Sequence, residues 1–482
     1  MCLLVFSSLV FLLLFLPAFL LLYYACPSRW RNMVALAGSM VFYAWGAPRF
    51  ILVLLGSCLL DYLCARKIES APHRTRRLII LAVVFNVLVL VFFKYANFFV
   101  AQLDSLLGAA AHGGAIPWKP IALPIGISFF TFQKISYLID VYRGRVEPAR
   151  SYRDYVLYVS LFPQLIAGPI VRYHDVADQI RSRICSSAMI SDGFRRFTIG
   201  LAKKVLIANH VGEVADTMFN GPPLQMSCVQ AWVGLLCYSF QIYFDFSGYS
   251  DMAIGLGRLL GFKFLENFNR PYMAASFTDF WRRWHISLSN WMREYLYIPL
   301  GGNRVSHLLQ VRNLWIVFLV SGFWHGASWN FIAWGAYHGF FLSLERITFV
   351  RRVHDALPRL VRTLGTFVLV SIGWCFFRAE DLSGAWAFLM RLFACGNTGQ
   401  GLYPTRLLYY IVSPRIAVAF VAACLLSFWP ARATKLDLEC SGGAQWGLAR
   451  LVGANLFTIV LLAFSLGALA TQAFNPFIYF RF

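Results

Sequence analysis

The sequence predicts an all-α polytopic membrane protein. Hydrophobic residues make up 59% of the 482 residues and charged residues only 13%, and a soluble domain carries about twice that charged fraction. Apolar runs of about 17–25 residues recur along the chain, which is long enough to cross ~30 Å of hydrocarbon as helices. The alternating pattern of a lipid-facing barrel strand is absent, so helices are the expected membrane-crossing elements.

Apolar segments follow one another from one end of the sequence to the other. We expect about ten to thirteen membrane segments, not all of them full crossings. One segment, LFPQLIAGPIVRY, contains Pro163, Gly168 and Pro169 within a few residues and is predicted to be a re-entrant or broken helix. The candidate segments lie at about 3–24, 33–47, 50–65, 78–98, 121–141, 153–170, 197–217, 228–260, 313–327, 330–349, 363–378, 403–428 and 449–471.

No linker in the sequence is long enough to hold a soluble domain. We therefore predict one integral-membrane domain over 1–482, with N-terminal helices at 1–120, a core at 121–350 and C-terminal helices at 351–482. The first apolar run has neither a basic start nor a small-residue cleavage site, so it is interpreted as a retained span rather than a signal peptide. The eleven cysteines form no C-x-x-C pair, which favours apolar packing over a disulfide framework or a zinc site.

The formal net charge of +21 is explained by topology, because Lys and Arg concentrate in cytoplasmic loops. Basic clusters lie at 29–31, 66–77, 143–153, 172–183 and 351–362. Placing them all inside the cell predicts a periplasmic N-terminus. Nucleic-acid binding needs a basic solvated domain, and the sequence contains none. A positive cytoplasmic face would also attract a polyanionic donor such as a coenzyme A thioester.

The segment 271–304 is too charged and too aromatic to cross the membrane. At about 100° per residue, Trp284, Leu288, Trp291 and Tyr295 share one face of a helix. Trp and Tyr favour the level of the lipid headgroups, so we predict an interfacial helix on the cytoplasmic side. His285 lies beside this apolar face, where either a structural or a functional role is open.

Two histidines occur in similar motifs, GFWHG at His325 and GAYHG at His338. On one straight helix their separation would give about 20 Å of rise, too far to act on one atom. Basic residues flank both ends of 314–350, which predicts a hairpin that breaks near 327–330. The GxxxG spacing of the glycines predicts close helix packing. His325 would then lie close to the break and His338 further along the second arm.

Ionisable residues are costly inside a membrane, so a histidine there is first interpreted as a functional residue. Desolvation favours the neutral form of a buried imidazole, and a neutral imidazole accepts a proton from a hydroxyl, as acyl transfer from a thioester to an alcohol requires. Trp324 and Trp329 would exclude water, and Asn330 and the indole N–H groups are candidate oxyanion donors. Ser321, one turn from His325, is a candidate nucleophile for a covalent route.

Other buried polar groups have two readings. The histidine spacing matches no metal-binding pattern and no carboxylate accompanies it, so no metal is predicted. The remaining polar residues in apolar surroundings could relay protons or form structural pairs with Arg or Lys, and we favour pairing. They are Lys94, Lys134, Asp140, Asp245, Asp251 and Glu345.

The stretch FLENFNRPYMAASFTDFWRRWHISLSNWMREYLYIPLGGNR, followed by SGFWHGASWNFIAWGAYHG, resembles the membrane-bound O-acyltransferase family. The similarity is strongest to the branch that contains the membrane subunits of bacterial alginate and other exopolysaccharide O-acetylation. LVFSSLVFLLLFLP, QIYFDFSGYSDMAIGLGRLLGF and NPFIYFRF are similar to that branch as well, so the resemblance runs nearly from end to end.

The resemblance implies a ring or funnel of helices in a bacterial inner membrane. It makes His325 the expected catalytic residue and His285 the second functional histidine, with His338 at a recurring but less essential position. It implies acetyl-CoA as the donor, and Arg282 and Arg283 are candidate donor-binding residues. A polysaccharide acceptor and a periplasmic or membrane-anchored SGNH-type acetyltransferase are the expected partners. A proton-coupled transporter of a sugar or lipid-linked intermediate, and a non-catalytic scaffold, remain as alternatives.

Overall fold

The structure, a computed structural model, describes residues 4–70, 75–110, 116–221, 226–394, 413–429, 448–472 and 474–475. The predicted all-α class is confirmed, since the described residues form helices and connecting turns without strands. Met1, the apolar stretch 403–412 and most of NPFIYFRF lie outside the described residues.

The chain packs into two compact units. The first comprises 1–190 with 257–265, and the second comprises 191–256 with 266–482. The boundaries of these units differ from the expected divisions at 120 and 350. All three histidines singled out in the sequence belong to the second unit. The prediction of one domain over 1–482 stays a prediction.

The first unit contains the helices up to residue 181, which begin after a π-helical turn at Phe11–Phe15. Short 3₁₀ turns at Ser28–Trp30 and Pro48–Phe50 separate the first three helices. The helices are α1 (Leu16–Ala25), α2 (Arg31–Gly46), α3 (Ile51–Ser70), α4 (Arg76–Ala110), α5 (Ile127–Tyr142), α6 (Tyr152–Ser160), α7 (Phe162–Leu165) and α8 (Tyr173–Arg181).

The second unit begins within α9, and α11 ends just beyond its boundary. Non-α turns occur at Lys203–Ala208, Pro271–Met273 and Arg293–Tyr297. The helices are α9 (Ser187–Ala202), α10 (Asn209–Phe219), α11 (Cys228–Leu259), α12 (Phe277–Arg283), α13 (Ile286–Met292), α14 (His307–His325), α15 (Trp329–Leu344), α16 (Thr348–Ala356), α17 (Arg359–Arg378), α18 (Leu382–Phe393), α19 (Pro414–Phe428) and α20 (Leu448–Thr471).

Four helices within the described residues are long and apolar enough to cross a membrane. They span Pro48–Ser70, Arg76–Gly108, Arg359–Arg378 and Val452–Thr471, and shorter apolar helices lie at Phe11–Ala25, Leu382–Phe393 and Pro414–Phe428. This pattern agrees with the predicted polytopic membrane protein. Length and composition alone identify fewer crossings than the ten to thirteen segments predicted, which also include short and interrupted helices.

The predicted interruption near Pro163 is confirmed. The chain forms the four-residue helix α7, followed by non-helical backbone up to the start of α8. This backbone is buried but hydrogen-bonded: Ser39 Oγ accepts from Phe162 N at 3.0 Å, and the Tyr158 hydroxyl donates to Val171 O at 3.1 Å. Gly168, at φ +121°, takes a backbone conformation open mainly to glycine. The broken segment is therefore supported by protein, as backbone at membrane depth requires.

Two buried charges of the first unit, Lys134 and Asp140, are paired as predicted, the second with Arg145 at 3.8 Å as well as with a histidine. Lys134 Nζ lies 3.1 Å from Asp61 Oδ2, and Asn86 Nδ2 donates to Asp61 Oδ1 at 2.8 Å. Asp140 Oδ2 lies 2.8 Å from His174 Nδ1. A buried charge without a partner is strongly destabilising, so these contacts explain how α5 carries both charges in an apolar unit.

The two aspartates of α11 are paired in the second unit. Asp245 Oδ1 lies 2.6 Å from Lys204 Nζ, whereas Asp251 contacts Lys203 Nζ at 2.6 Å and Arg196 Nη2 at 2.7 Å. Both partners of Asp251 and the partner of Asp245 come from α9 and the π-helical turn that follows it. These contacts confirm pairing with Lys and Arg and tie α11 to the preceding helices.

The predicted hairpin is confirmed, because α14 ends at His325 and α15 begins at Trp329. A side chain at Gly322 would meet the backbone carbonyl of Phe331, and one at Gly335 would meet the backbone carbonyl of Phe318. The two arms thus approach to backbone contact at these glycines, as the GxxxG spacing predicted. The hairpin therefore holds His325 and the second arm in a defined register.

The prediction of one continuous interfacial helix over the RRWH segment was wrong. Helix α12 ends at Arg283 and α13 begins at Ile286, with His285 at φ +44° between them. Such a left-handed conformation is uncommon for a residue other than glycine, and it breaks the helix. The predicted apolar face of the segment is nevertheless buried, since Trp284 and Trp291 are both enclosed by protein.

The break leaves α12 held at its first turn by α15. The carboxylate of Glu345, just after α15, accepts hydrogen bonds from the backbone N–H of Phe277 and of Thr278 (3.0 Å) and from the Thr278 hydroxyl (2.6 Å). Ser276 Oγ accepts a further bond from Asp279 N at 3.1 Å. A carboxylate at a helix N-terminus is favourable, so Glu345 fixes the position of α12 relative to the histidine hairpin.

Gly335→Ala is expected to destabilise the hairpin, because the added methyl group would collide with the Phe318 carbonyl. Overpacking of this kind costs about 1–3 kcal/mol. Gly339→Ala is the matched control, since its methyl group would lie 3.7 Å from the nearest atoms. Thermal unfolding of the purified variants in detergent should give a lower midpoint for Gly335→Ala than for Gly339→Ala. Equal midpoints would contradict a backbone contact at Gly335.

Candidate active site

His325 is the last residue of α14 and lies at the turn of the hairpin. Its side chain is enclosed by aromatic rings: the ring centroids of Trp324, Trp334 and Phe377 lie 4.9, 5.1 and 5.1 Å from that of His325. The residue is 7% exposed. Backbone geometry at the end of α14 and packing from α15 and α17 therefore place this imidazole in apolar surroundings, as the sequence predicted.

His338 lies further along α15 and is fully buried. The ring centroids of Trp334 and Trp281 lie 4.8 and 5.1 Å from the His338 centroid. Neither of its ring nitrogens has a hydrogen-bond partner among the described residues. The ring of Trp334 contacts both His325 and His338 and so lies between them, which explains why the two histidines do not share one reacting atom.

His285 contacts Asn267 and, at the longer distance of 3.4 Å from Nδ1, Ser287 Oγ. Neither contact was predicted from the sequence. His285 Nδ1 lies 3.1 Å from Asn267 Oδ1, and the same oxygen accepts from Ser287 Oγ at 2.8 Å. The Phe246 ring meets the imidazole edge-on with centroids 4.7 Å apart. His285 lies between α12 and α13, which have seven residues each and are too short to span a membrane. Complete burial lowers the pKa of this histidine to about 3. The ring is therefore neutral at physiological pH.

The three histidines and two tryptophans form a continuous series of rings. Trp324 lies between His285 and His325, with centroid distances of 6.5 and 4.9 Å, and Trp334 lies between His325 and His338. The series thus brings together histidines that are 40 and 13 residues apart in the sequence (325 − 285 and 338 − 325). Because every member is buried, proton transfer here would take place away from bulk water.

The other predicted site residues have different surroundings. Asn330 is buried and donates from Nδ2 to Ala379 O at 2.8 Å, so one of its amide hydrogens is already used to join α15 to the end of α17. Ser321 is buried one turn before His325 on α14. Trp329 is 53% exposed at the start of α15, so its ring is much less enclosed than those of Trp324 and Trp334. Trp324 is buried and its ring lies next to those of His285 and His325, and the shaping role predicted for it stays a prediction.

The two arginines before His285 differ from each other. Arg283 is engaged on its own helix, with Nε 2.7 Å from Asp279 Oδ1. Its backbone carbonyl accepts from Asn269 N at 2.9 Å. Arg282 is exposed. The guanidinium of Arg282 is therefore the more available of the two for an anionic ligand.

Residues from α17 also contact the rings of this series, and these contacts were not predicted from the sequence. Phe377 contacts His325 and Trp334, and Trp374 lies near His338 with centroids 6.3 Å apart. Trp334 lies between the GFWHG and GAYHG motifs in the sequence. Its position between the two histidines of a predicted hairpin is a signal from which its role could have been predicted. Nothing in the spacing of α17 or of Asn267 links them to a histidine, because their proximity arises only from folding.

The arrangement is suited to proton transfer by an imidazole base within an enclosure of aromatic rings. Low surrounding polarity strengthens each hydrogen bond to a reacting group. The indole N–H groups of Trp281 and Trp334 are buried and make no hydrogen bond to a described residue, so they are candidate donors to a developing oxyanion. Within the described residues no group of three or more His, Cys, Asp or Glu side chains is placed to hold a metal ion.

Comparison with known proteins identifies the family. The model of the membrane-bound O-acyltransferase family matches residues 130–379, more than half of the chain, and includes all three histidines. The chain belongs to the membrane-bound O-acyltransferase family. It is accordingly an O-acyltransferase and a multi-pass membrane protein. The predicted family and the predicted O-acyltransferase class are confirmed.

Three relatives show how the family is used elsewhere. The probable alginate O-acetylase AlgI of Azotobacter vinelandii is 41% identical over 99% of this chain and 100% of that protein. The peptidoglycan O-acetyltransferase of Helicobacter pylori is 41% identical over 79% of this chain and 78% of its own length. The teichoic acid D-alanyltransferase of Bacillus subtilis is 28% identical over 44% of this chain and 56% of its own.

Trp334→Leu is expected to reduce acyl transfer by about 10²-fold, the size of effect that a small misplacement in an active site produces. The reason is that His325 and His338 both lose the ring against which they pack. Trp329→Leu is the control, since this tryptophan is 53% exposed whereas Trp334 is fully buried. Transfer should be measured per amount of folded protein recovered from the membrane. Equal losses in the two variants would rule out a specific role for Trp334.

Proposed function

We propose that the protein moves an acetyl group from cytoplasmic acetyl-CoA across the membrane for O-acetylation of an exopolysaccharide, alginate-like or cellulose-like. The observation that carries this proposal is the placement of His285 and His325 on either side of Trp324 in one buried aromatic series. Relatives named as an alginate O-acetylase and as a peptidoglycan O-acetyltransferase match most of the chain. Their names support acetyl as the group transferred and a glycan as its destination.

His325 is proposed as the general base. Its neutral imidazole takes the proton from an attacking hydroxyl, the oxygen forms a bond to the thioester carbonyl, and the carbon–sulfur bond breaks to release the thiol of coenzyme A, which takes up a proton. The buried indole N–H groups near His338 would stabilise the oxyanion. Aromatic enclosure by Trp324 and Trp334 protects the thioester from hydrolysis. Ser321 is retained as the nucleophile of a covalent alternative.

His285 is proposed to act on the donor side of the site. The RRWH segment carries it next to two arginines, and the diphosphate and phosphate groups of acetyl-CoA are strongly anionic. Because Arg283 is engaged with Asp279, Arg282 is the stronger candidate for contact with these groups. The basic clusters elsewhere in the chain would add a general attraction at the cytoplasmic face.

A partner completes the transfer in this proposal. The donor is cytoplasmic and the polymer is extracytoplasmic, so the acetyl group must be received on the far side of the inner membrane, where we propose a periplasmic or membrane-anchored SGNH-type acetyltransferase. The periplasmic N-terminus inferred from the basic loops is part of the same topology. The more distant similarity to a teichoic acid D-alanyltransferase favours acetyl over D-alanyl transfer here.

His325→Ala is expected to abolish acetylation of the polymer while the protein remains folded in the membrane, since a positioned general base contributes about 10²–10⁴-fold. His338→Ala should retain part of the activity. The measurement is the acetyl content of polymer from strains carrying each variant, with membrane abundance as the control. Loss of polymer secretion itself would favour a transporter, and full acetylation in both variants would favour a non-catalytic scaffold.

Arg282→Gln is expected to raise the KM for acetyl-CoA by about 5–30-fold with little change in kcat, because losing a charged hydrogen bond to a phosphate costs about 1–2 kcal/mol. Arg283→Gln serves as the comparison, since its guanidinium is held by Asp279 and it should change KM less. The assay is acetyl-CoA-dependent transfer in reconstituted membranes. A KM that is equal in both variants and the wild type would remove the arginines from the donor site.

A further inference from the structure

We propose that Asn267 is a positioning residue that fixes the proton of His285 on Nδ1 and leaves Nε2 as a hydrogen-bond acceptor for the reacting groups. The proposal deepens the donor-side role of His285 and rests on the proposed function. Asn267 itself is fully buried and lies 18 residues before His285 (285 − 267).

Asn267 binds the break between α12 and α13 with both its backbone and its side chain. Its backbone carbonyl oxygen accepts a hydrogen bond from Ile286 N at 2.9 Å. Its side-chain Oδ1 accepts hydrogen bonds from Ser287 N at 3.3 Å and from Ser287 Oγ at 2.8 Å. These hydrogen bonds to the residues that follow His285 hold its backbone in the left-handed conformation. Backbone strain of this kind persists only where the surrounding structure enforces it.

The orientation of the Asn267 amide follows from its neighbours. A backbone N–H is always a donor, so the atom facing Ser287 N must be the amide oxygen. The amide nitrogen points the other way and donates to Ser250 Oγ at 3.0 Å. A flipped amide would set its own N–H groups against the N–H of Ser287, so this assignment does not depend on the histidine.

The amide oxygen then determines the tautomer of His285. Nδ1 lies 3.1 Å from Asn267 Oδ1, and an oxygen that only accepts requires a hydrogen on Nδ1. A neutral imidazole carries one N–H, so Nε2 bears the lone pair. Nε2 is buried and has no hydrogen-bond partner among the described residues. Burial of an acceptor without a partner costs free energy, which is understandable if a substrate group occupies that direction during the reaction.

The same contacts fix the ring plane. Phe246 packs edge-on against the imidazole at an interplanar angle of 90°, and Trp324 lies on the path to His325. A second hydrogen bond that orients an imidazole is a common device where the other nitrogen has a task. Asn267 gives His285 a neutral acceptor rather than a carboxylate, so the ring is oriented without stabilising its protonated form.

The test is the protonation state of His285 in the intact protein, measured by solid-state NMR of the chain labelled with 13C,15N-histidine in lipid bilayers. Of the nine histidines, the signal of His285 is identified by its loss in His285→Gln. We expect a neutral Nδ1–H ring in the wild type. A neutral ring protonated on Nε2 would overturn the proposal directly.

Asn267→Ala should move the His285 signal away from the Nδ1–H form, because the acceptor is gone and an unconstrained imidazole favours Nε2–H. Asn267→Asp keeps an oxygen acceptor and should retain the proton on Nδ1, which preserves the test if the alanine variant does not fold. Ser287→Ala is the matched control: it removes a hydroxyl that donates to Asn267 Oδ1 at 2.8 Å and lies 3.4 Å from His285 Nδ1. It leaves the Asn267 oxygen in place, so the tautomer should not change. An unchanged signal in folded Asn267→Ala would refute the positioning role.

Acetyl transfer supplies the second readout. Asn267→Ala should lower kcat by about 10–100-fold, as loss of an outer-shell partner commonly does, with the KM for acetyl-CoA within about twofold. A changed tautomer with unchanged kcat would overturn the proposed use of Nε2 in the reaction. If His325→Ala strains keep acetylated polymer, the proposed function fails, whereas the NMR signal still decides whether Asn267 sets the tautomer.

Discussion

The backbone contact between α14 and α15 is the constraint on which the histidine arrangement depends. Gly322 and Gly335 carry no side chains, so each arm reaches a carbonyl of the other. This closeness brings Trp334 of the second arm against His325 at the end of the first. A wider separation would leave room for a layer of side chains, and the rings would no longer form one series. The glycines thus determine the spacing of the site although they take no part in its chemistry.

Two different solutions to burial coexist in the protein. Charged groups such as Lys134 and Asp245 are buried in ion pairs, with Asp61 and Lys204 respectively, because an isolated charge in apolar surroundings would be very costly. The histidines are instead enclosed by aromatic rings, and burial lowers the pKa of His285. Separating the two keeps fixed charges out of the ring series.

Much of the site could be predicted from local patterns. Basic flanks at both ends of 314–350 predicted the hairpin, and Pro163, Gly168 and Pro169 predicted the broken segment, because topology and backbone conformation act over short distances along the chain. The RRWH segment was predicted as one helix, since its apolar residues recur at helical spacing. The break at His285 was not predictable from that spacing, because it depends on hydrogen bonds from Asn267, which lies outside both helices and 18 residues earlier (285 − 267).

The sequence by itself determined the all-α membrane class, the hairpin and the histidines on which chemistry was expected, because these follow from composition, periodicity and charge along the chain. Only the tertiary structure decided that Trp324 and Trp334 join the histidines into one series of rings. It also decided that Phe377 packs against His325 and that Trp329 is half-exposed. It alone also decided which nitrogen of His285 faces an acceptor. Contacts between distant segments depend on how whole helices pack, and side-chain packing leaves no repeating signal in the order of residues.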